Sequence, residues 1–543
     1  MIRINSIKVP LDFDFSQLSK FCAERFRIPA DRIKSVKLAK KSVDARRRSD
    51  VHFLISVDIS AKGETQLLKR IKNATPVEKY VYDIPQVSGG KRPVIVGFGP
   101  AGMFAALVLA MAGAAPIVLE RGGDVDSRVK AVEEFQSGGR LDTECNVQFG
   151  EGGAGTFSDG KLTTGIKDKR IRWVFEKLVE FGAPEEILYL AKPHIGTDKL
   201  RGTVKALREC VKELGGEVRF GARFCGYELE NGRISAVRYI DSSGEHTLDT
   251  DNVILATGHS ARDVFELLYA NGVELAQKNF AVGVRIEHLR ADIDKAMYGD
   301  FAGHPSLKAA DYKLVAHLPK GRSLYTFCMC PGGQVVAASS EEGRLCVNGM
   351  SAHARDGRNA NAALVVQVEP ADFEEGDLFA GMRFQRACEE AAWKLCRGKV
   401  PVQRWAEFAG KGKTEGAEES FAAAPAASLV TEADAPRPDI CGAWEMADLS
   451  SALPPFIRNA LLQAMPQFDR KMPGYASPEA LVEGFEGRTS SPLRIPRDAG
   501  GESSIRGIWP AGEGAGYAGG ITSAAVDGIK AAEQIIRRFA VPK

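Results

Sequence analysis

The sequence of 543 residues carries almost no net charge, because 72 Lys and Arg residues stand against 70 Asp and Glu residues. Such a balance gives the whole protein no strong attraction to nucleic acid or to a membrane surface. Its ten cysteines follow no repeating spacing, which favours reduced thiols in a cytosol over a disulfide framework. The segment Met1 to Asn5 lacks the pattern of a signal peptide. These absences predict a soluble, cytoplasmic protein.

Long apolar runs are also scarce. The longest one, Met103 to Leu119, is short for a membrane span and contains Gly113 and Pro116. We therefore expect no membrane insertion. Since one hydrophobic core rarely serves a chain of this length, about three domains are expected.

One stretch has the pattern of a nucleotide-binding unit. Val94 to Val96 is typical of a short buried strand, and Gly97, Gly99 and Gly102 follow it in the spacing G-x-G-x-x-G. The first glycine permits a tight turn, the second lets a pyrophosphate approach the backbone, and the third lets the next helix pack on the sheet. That helix, predicted from about Pro100 to Ala112, would direct its free N–H groups at the phosphates.

The second strand of this unit, Ile117 to Leu119, ends in Glu120 and Arg121. A carboxylate at this distance from the glycines accepts hydrogen bonds from ribose hydroxyls and repels a phosphorylated ribose. FAD or NAD is therefore favoured over NADP. Strand, glycines, helix, strand and acid in this order predict a dinucleotide site more specifically than the glycines alone.

Three later segments also suit backbone wrapped around a cofactor. Gly150 to Leu162 and Gly512 to Thr522 are rich in glycine, and Ala256-Thr257-Gly258 ends an apolar strand. An amphipathic helix is predicted from Ser523 to Phe539. The predicted cofactor-binding residues are Gly97, Gly99, Pro100, Ala101, Gly102, Glu120, Arg121, Gly152, Gly153, Ser158, Asp159, Gly160, Lys161, Leu162, Ala256, Thr257, Gly258, Gly512, Glu513, Gly519, Gly520, Ile521 and Thr522.

The predicted fold class is α/β, in several domains. Residues 1–85 have the order β-α-β-β-α-β of a small ferredoxin-like domain. Residues 92–275 and 498–543 are predicted to form the two parts of a Rossmann-like domain, with an α+β substrate domain, 276–497, inserted between them. Within the insertion, Lys411 to Pro425 is predicted to be an exposed loop.

The first domain carries a basic run between its central strands. Its members are Arg32, Lys34, Lys37, Lys40, Lys41, Arg46, Arg47 and Arg48. One interpretation is a contact with RNA or another polyanion, and the other is a solvated hairpin. The run lacks the interleaved aromatic residues that base stacking needs, which favours the solvated hairpin.

The chain resembles glutathione-reductase-type FAD flavoproteins. The order found in that family is shown here by the first glycine loop with Glu120, the middle Ala256-Thr257-Gly258 and the late Ala511-Gly512-Glu513. From about residue 90 the chain resembles more closely a bacterial group known only as FAD-dependent or NAD(FAD)-utilising dehydrogenases. The stretches that carry this resemblance are Gly150 to Leu162, His194 to Thr197, Tyr325 to Gly333, Asn348 to Ser351, Arg488 to Pro492 and Gly512 to Gly528. It implies FAD as cofactor, with Glu513 at the ribityl chain where many flavoproteins have Asp, and it implies no substrate.

The glycine-rich segment near the C-terminus also favours FAD, because an extended FAD reaches segments far from its adenine loop. A second G-x-G-x-x-G after a strand is missing, so NAD(P)H would be a transient electron donor that visits the flavin pocket. We expect hydride transfer between flavin N5 and an unidentified small organic substrate. The alternatives are a flavoprotein whose first domain binds RNA, as a tRNA modifier or redox-sensing regulator, and a protein that holds FAD without turnover.

Cys328 and Cys330 form a C-x-C motif that suits a redox pair or half of a metal site. A redox partner of flavin is normally C-x-x-C, and a zinc site needs two further ligands at plausible spacing, so no metal is predicted. On a strand the two positions share one face. They are therefore also explained as buried small residues beside the cofactor.

Two further candidates suit an anionic substrate. His353, with Arg355, has the chemistry for anion binding or proton transfer. Arg488, with Arg494, suits a carboxylate or phosphate. For the arginines the alternative is an ion pair that fixes the domain junction.

Overall fold

The structure is a computed structural model that describes residues 1–78, 80–410 and 435–539. It has a mixed α/β fold. Across these ranges no helix combines the length and the apolar character that crossing a bilayer requires. The predicted loop from Lys411 to Pro425 lies outside the described residues.

The N-terminal unit has the predicted order of elements, β-α-β-β-α-β. Its elements are β1 (Ile2–Val9), α1 (Leu18–Phe26), β2 (Ile33–Asp44), β3 (His52–Ala61), α2 (Glu64–Arg70) and β4 (Ala74–Pro76). They form an antiparallel sheet in the order β2-β3-β1-β4. Alternate residues of β3 are buried because one face of this sheet packs on the helices.

The next part of the chain contains the predicted dinucleotide site, and we call it the nucleotide unit. Its elements are β5 (Val94–Val96), α3 (Pro100–Met111), β6 (Ile117–Leu119), α4 (Val125–Gln136), α5 (Arg170–Glu180), α6 (Thr197–Glu213), β7 (Glu217–Arg219), β8 (Arg223–Glu230), β9 (Arg233–Asp241), β10 (Gly244–Asp249), β11 (Val253–Leu255), α7 (Arg262–Ala270) and β12 (Ala276–Gln277). Strands β8, β9 and β10 form an antiparallel sheet of their own.

Residues 280–494 build a second large unit. Its elements are β13 (Phe280–Leu289), α8 (Arg290–Tyr298), β14 (Val315–His317), β15 (Ser323–Cys330), β16 (Gln334–Ala337), β17 (Val347–Met350), β18 (Asn359–Val368), α9 (Ala380–Cys396), β19 (Val400–Arg404), α10 (Trp405–Gly410), β20 (Ile440–Cys441), β21 (Trp444–Met446), α11 (Pro455–Lys471), β22 (Leu481–Glu486) and β23 (Leu493–Arg494). Its main sheet has the order β14-β15-β18-β13-β22-β19-β21, and β17, β16 and β20 form a smaller one.

The chain then returns to the nucleotide unit with β24 (Ile508–Pro510) and α12 (Ile521–Phe539). Strand β24 completes a parallel sheet in the order β24-β11-β5-β6-β7. The two ends of the intervening unit lie side by side, because β12 pairs with β23. Residues 280–486 are therefore an excursion from a sheet that the C-terminal segment completes.

Helix α3 is the centre of the nucleotide unit. Ten consecutive residues, Ala101 to Ala110, are buried, because the parallel sheet and α12 cover the helix from different sides. The backbone of Ala101 leaves no room for a Cβ atom at Gly528 of α12. This close packing places the beginnings of α3 and α12 on one cleft.

Candidate active site

A cleft of about 930 Å³ runs along the carboxyl ends of β5, β6 and β11 and reaches the second unit. Crevices at this edge of a parallel sheet are where α/β folds bind ligands. The predicted cofactor residues that line it are Gly97, Gly99, Pro100, Ala101, Glu120, Arg121, Gly153, Ser158, Asp159, Gly160, Lys161, Ala256, Thr257, Gly258, Gly512, Glu513, Gly519, Gly520 and Ile521.

Four predicted cofactor residues lie behind the cleft wall instead. Gly102 packs against the carbonyl of Gly97, and Gly152 packs against the side chain of Thr156. The Thr522 hydroxyl donates to the carbonyl oxygen of Leu162 at 2.8 Å. Gly102, Gly152, Leu162 and Thr522 therefore support the wall from behind, and their contact with a cofactor stays a prediction. The spacing of residues in the motifs does not distinguish a residue that contacts the cofactor from one that supports the wall.

Glu120 joins the first two glycine loops at one end of the cleft. Its buried carboxylate accepts hydrogen bonds from the backbone N–H groups of Phe98, Gly122 and Gly150, at 2.8, 2.9 and 3.0 Å. Neighbouring Arg121 lies over the ring of Phe149, with 4.5 Å between the guanidinium carbon and the ring centroid. The acid that was predicted for a ribose thus fixes the two glycine loops at this end of the cleft, and its contact with a ribose stays a prediction.

The middle of the cleft is formed by backbone. Gly99 is the N-cap of α3, so the unpaired N–H groups of the first helical turn border the cleft. A Cβ atom on Gly153, which has φ +61°, would lie 3.0 Å from the Cα of Gly99. Because neither Gly99 nor Gly153 has a side chain, a ligand has room to touch both loops. The arrangement fits the pyrophosphate of a dinucleotide.

Charged side chains concentrate at the other end of the cleft. Asp159 pairs with Arg355 at 2.5 Å and with Lys161 at 3.3 Å. Burial alone would raise the pKa of Asp159, but Lys161 and Arg355 hold it well below its usual value. The Lys161 ammonium also donates to the carbonyl oxygen of Met329 in β15. This lysine therefore ties the second glycine loop to the main sheet of the second unit.

Two carboxyl groups at this end have unusual acidity. Burial raises the pKa of Glu513 to about 7, although Lys278 opposes the shift. Burial likewise raises the pKa of Glu486 to about 7 despite its ion pair with Arg285, which measures 2.9 Å. Both residues line the cleft, and both can exchange a proton near neutral pH.

Comparison with known proteins gives a match for the second unit, for the start of the chain and for the chain as a whole. Residues 279–489 match the family model described as "FAD-dependent protein, C-terminal domain-like", and residues 1–60 match a domain of unknown function. An uncharacterized protein of Clostridium beijerinckii is 45% identical over 551 residues, which cover 100% of both chains. The chain belongs to the family of this protein. FAD is the cofactor of the chain.

Among solved structures, the flavin-dependent brominase Bmp2 is similar to this chain with 12% identity and a TM-score of 0.38, over 84% of this chain and 81% of its own. A geranylgeranyl bacteriochlorophyll reductase-like protein from Thermoplasma acidophilum has 15% identity and a TM-score of 0.35, over 83% and 79%. These values are too low to transfer an activity.

The C-x-C motif lies on β15, but its two cysteines do not share a face as predicted. A β-bulge between Phe327 and Cys330 breaks the alternation of side chains. Cys328 and Met329 consequently both border the cleft, while Cys330 is completely buried behind them. Cys328 has φ +41°, a strained backbone conformation for a residue with a side chain.

His353 lies outside the FAD cleft, so the structure does not support its predicted catalytic role. Its ring stacks on His194 with 5.2 Å between centroids, and its Nδ1 lies 3.0 Å from the carbonyl oxygen of Ile195. Glu186 stands 3.5 Å from its Nε2. Its neighbour Arg355 is the residue that reaches the cleft.

Arg488 lines the cleft, but its charge is committed to an ion pair. Its guanidinium donates to both oxygens of Glu389 at 3.0 and 3.1 Å, and Arg262 of the nucleotide unit binds the same carboxylate at 2.9 Å. The catalytic prediction for Arg488 is thus replaced by its alternative, an ion pair at the domain junction. Arg494 stacks its guanidinium on Tyr517 at 5.0 Å.

The sequence-based prediction missed Arg285 on β13. This fully buried guanidinium binds Glu486, donates to Asn361 Oδ1 at 2.6 Å and donates to the carbonyl oxygen of Cys328 at 3.2 Å. A charge in the middle of an apolar strand is the signal that was available, because a buried charge requires partners. Those partners could not be named from the sequence, because Asn361 lies more than 70 residues from Arg285 and is brought to it by strand pairing.

The basic run of the N-terminal unit is partly engaged within that unit. The Lys41 ammonium lies 4.5 Å from the ring centroid of Phe15 and 4.2 Å from that of Phe53. Arg46 pairs with Asp44 at 2.5 Å. These contacts agree with the solvated hairpin, and RNA binding stays an untested prediction.

Proposed function

We propose that the protein is an FAD-dependent oxidoreductase that transfers hydride between flavin N5 and a small organic substrate. The observation that carries this proposal is the extent of the cleft. It runs from Glu120 past the glycine loops to Cys328 and Glu486 of the second unit. An extended FAD with its adenosine at Glu120 would have its reactive end among side chains of both units. The order of the parallel sheet supports a Rossmann-like nucleotide fold for the first unit.

FAD supplies the redox chemistry when bound, and the chain supplies binding and electrostatics. The glycine loops and the N-terminus of α3 would hold the pyrophosphate. Helix α12 begins at Ile521, in the cleft wall, so its N-terminal N–H groups favour negative charge there. Glu486 and Glu513 line the same cleft, and each can hold or release a proton there near pH 7.

The charges of the wall support a substrate with an anionic group. Lys161 and Arg355 carry two positive charges, and Asp159, their partner in the wall, neutralises one of them. The surplus positive charge faces the same space as Cys328 and Met329. A carboxylate or phosphate of the substrate would be attracted there. Reduced nicotinamide nucleotides also carry phosphates and are candidate transient electron donors.

An anaerobic screen of flavin reduction tests this function. The purified holoprotein is mixed with NADH, NADPH and pooled anionic metabolites, and flavin absorbance near its visible maximum is followed. We expect at least one donor to bleach the flavin and an added acceptor to restore the absorbance. If dithionite bleaches the flavin but all donors leave it oxidised, the protein holds FAD without turnover and the proposal is wrong.

A further inference from the structure

The bulge of β15 places Cys328 in the wall of the cleft and Cys330 directly behind it. Residues two apart on a regular strand span about 6.7 Å, close to the upper limit of about 6.8 Å for the Cα atoms of a disulfide. In β15 the strand is not regular at this point, because the bulge and the left-handed conformation of Cys328 interrupt it. The Cys330 Sγ donates to the carbonyl oxygen of Cys328 at 3.3 Å, so the second thiol lies against the residue that carries the first.

The surroundings make these two thiols chemically different. The pKa of the Cys328 thiol is lowered, because it accepts a hydrogen bond from Cys330 and faces the positive charges of Lys161 and Arg285. The pKa of Cys330 is raised well above its usual value by the same hydrogen bond and by burial. By contrast, burial raises the pKa of Cys346 and of Cys388 to about 12. A thiolate in the cleft with a protonated thiol behind it is the arrangement of a reactive dithiol.

The backbone around this pair is held by the two cations. Lys161 donates to the carbonyl oxygen of Met329, and Arg285 donates to that of Cys328. The residues on either side of the bulge are therefore fixed from the FAD loop and from β13. Strain at a residue such as Cys328 persists only where its surroundings impose it, and such residues are frequent at functional sites.

We propose that Cys328 and Cys330 form a dithiol–disulfide couple that exchanges two electrons with bound FAD. The oxidation forms the Sγ–Sγ bond, breaks the S–H bond of Cys330 and releases two electrons and one proton, with oxidised FAD as the electron acceptor. In the other direction, reduced FAD gives two electrons to the disulfide, and Cys330 takes up a proton. The couple rests on the proposed oxidoreductase function and adds a second redox centre to it.

An anaerobic titration with dithionite counts the electrons that the holoprotein accepts. The protein is first oxidised with diamide and desalted, and flavin absorbance is followed during titration. We expect four electrons per FAD for the unchanged chain and two for Cys328→Ser and Cys330→Ser. The matched control Cys225→Ser, on β8 outside the cleft, should keep four. FAD content and the flavin spectrum report that each variant is folded.

Mass spectrometry after thiol alkylation gives a second readout. Under denaturing conditions, iodoacetamide should modify Cys328 and Cys330 only in protein reduced with dithionite, while a peptide with both residues should lack two hydrogen atoms after diamide. The inference is overturned if the unchanged chain accepts two electrons per FAD, or if the serine variants still accept four. Both readouts use dithionite and diamide, so they stay informative even where every donor of the flavin screen fails.

Discussion

Gly102 and Gly202 are both helix glycines, but only Gly102 has backbone against its Cα. Substitution Gly102→Ala would drive a methyl group into the carbonyl of Gly97, the first residue of the FAD loop. We expect a loss of about 1–3 kcal/mol of stability and weaker FAD retention. Around Gly202 a Cβ meets nothing within 4 Å, so Gly202→Ala should stabilise by about 0.5–1 kcal/mol. Thermal unfolding and FAD content of both variants check this; equal behaviour would contradict it.

Glu120 can be tested by the isosteric change Glu120→Gln. The carboxylate accepts hydrogen bonds from three backbone N–H groups, and the amide has no negative charge to strengthen them. The amide NH₂ group would also face at least one of these N–H donors, which it cannot accept from. Hydrogen bonds to charged groups contribute about 1.5–3 kcal/mol, so the Kd for FAD should rise about 10- to 100-fold. Quenching of FAD fluorescence measures this, with exposed Glu228→Gln as the control. An unchanged Kd would mean that the loops hold without this carboxylate.

At the scale of single residues, the sequence was informative where a residue's role depends on its neighbours in the chain. Gly99 and Glu120 belong to one local strand–helix–strand unit, and both line the cleft, while their contact with FAD stays a prediction. The face of Cys330 depended on a bulge that its sequence does not mark. The role of Arg488 depended on Glu389, which is 99 residues away. Such pairings are set by tertiary packing.

At the scale of elements, helix α9 offers a matched pair of neighbouring acids. Glu389 is fully buried between Arg262 and Arg488, whereas Glu390 forms an exposed pair with Lys394. Burial alone would raise the pKa of Glu389, but Arg488 and Arg262 lower it to about 2. Glu389→Gln removes the fully buried anion between the two arginines and leaves them only the half-buried Glu341, which lies 2.6 Å from Arg262 and 3.4 Å from Arg488. Breaking a buried ion pair in this way should cost up to about 3–5 kcal/mol. Glu390→Gln should change stability by less than about 0.5 kcal/mol.

Chemical denaturation of both variants measures this difference. FAD content should follow stability in the Glu389 variant, because Arg262 and Arg488 join the nucleotide unit to the second unit. Should Glu389→Gln be as stable as Glu390→Gln, the network would not hold the junction. That result would return Arg488 to the candidates for substrate binding.

Strand β22 gives the protein a predictable pH dependence through Glu486. Its pKa is about 7 in the folded chain and about 4.5 when exposed, so the folded state binds the proton more tightly. Its contribution to stability is therefore complete below about pH 4.5 and is lost as the pH rises through about 7. For this single carboxyl the loss is up to about 3 kcal/mol.

The variant Glu486→Gln has no proton to lose at this site. Its absolute stability should be lower because Arg285 loses its anionic partner at high pH, but its stability should fall less steeply between pH 5 and pH 8. Urea denaturation of the FAD-free protein at four pH values, for both chains, gives the two slopes. Equal slopes would show that Glu486 does not titrate in this range.

At the scale of the whole molecule, the N-terminal unit is attached by several contacts. The backbone N–H of Lys41 in β2 donates to Tyr189 at 2.7 Å, and that of Ala191 donates to Lys41 at 2.9 Å. Ile55 and Phe280 belong to one continuous buried apolar cluster. Removal of residues 1–85 should therefore lower the Tm and cause aggregation of the remaining chain.

Size-exclusion chromatography and thermal unfolding test this prediction. Neutralising Arg46, Arg47 and Arg48 in the full chain is the control, and we expect it to leave the Tm unchanged because these side chains lie on the exposed hairpin. A monodisperse truncated chain with an unchanged Tm would show an independent domain. The triple substitution is also the better variant for RNA binding, since it keeps the apolar cluster covered.

The order of many helices and strands could be predicted because each part of the chain has its own pattern of apolar residues and glycines. The return of the chain to the parallel sheet was visible in the glycine-rich segment before α12. What could not be predicted was how β15 and β22 of the second unit face that segment, because no local pattern encodes the orientation of one unit on another.

Strand β24 and helix α12 have a consequence for biosynthesis. More than 400 residues separate Gly97 from Gly512, although both border one cleft. At about 5–20 residues per second, a ribosome needs roughly 20–80 s to make the chain between them. Throughout this interval the first loop exists without its counterpart. With FAD placed in this cleft as proposed, we expect cofactor loading to be a late step and a chain that ends before Gly512 to retain no flavin.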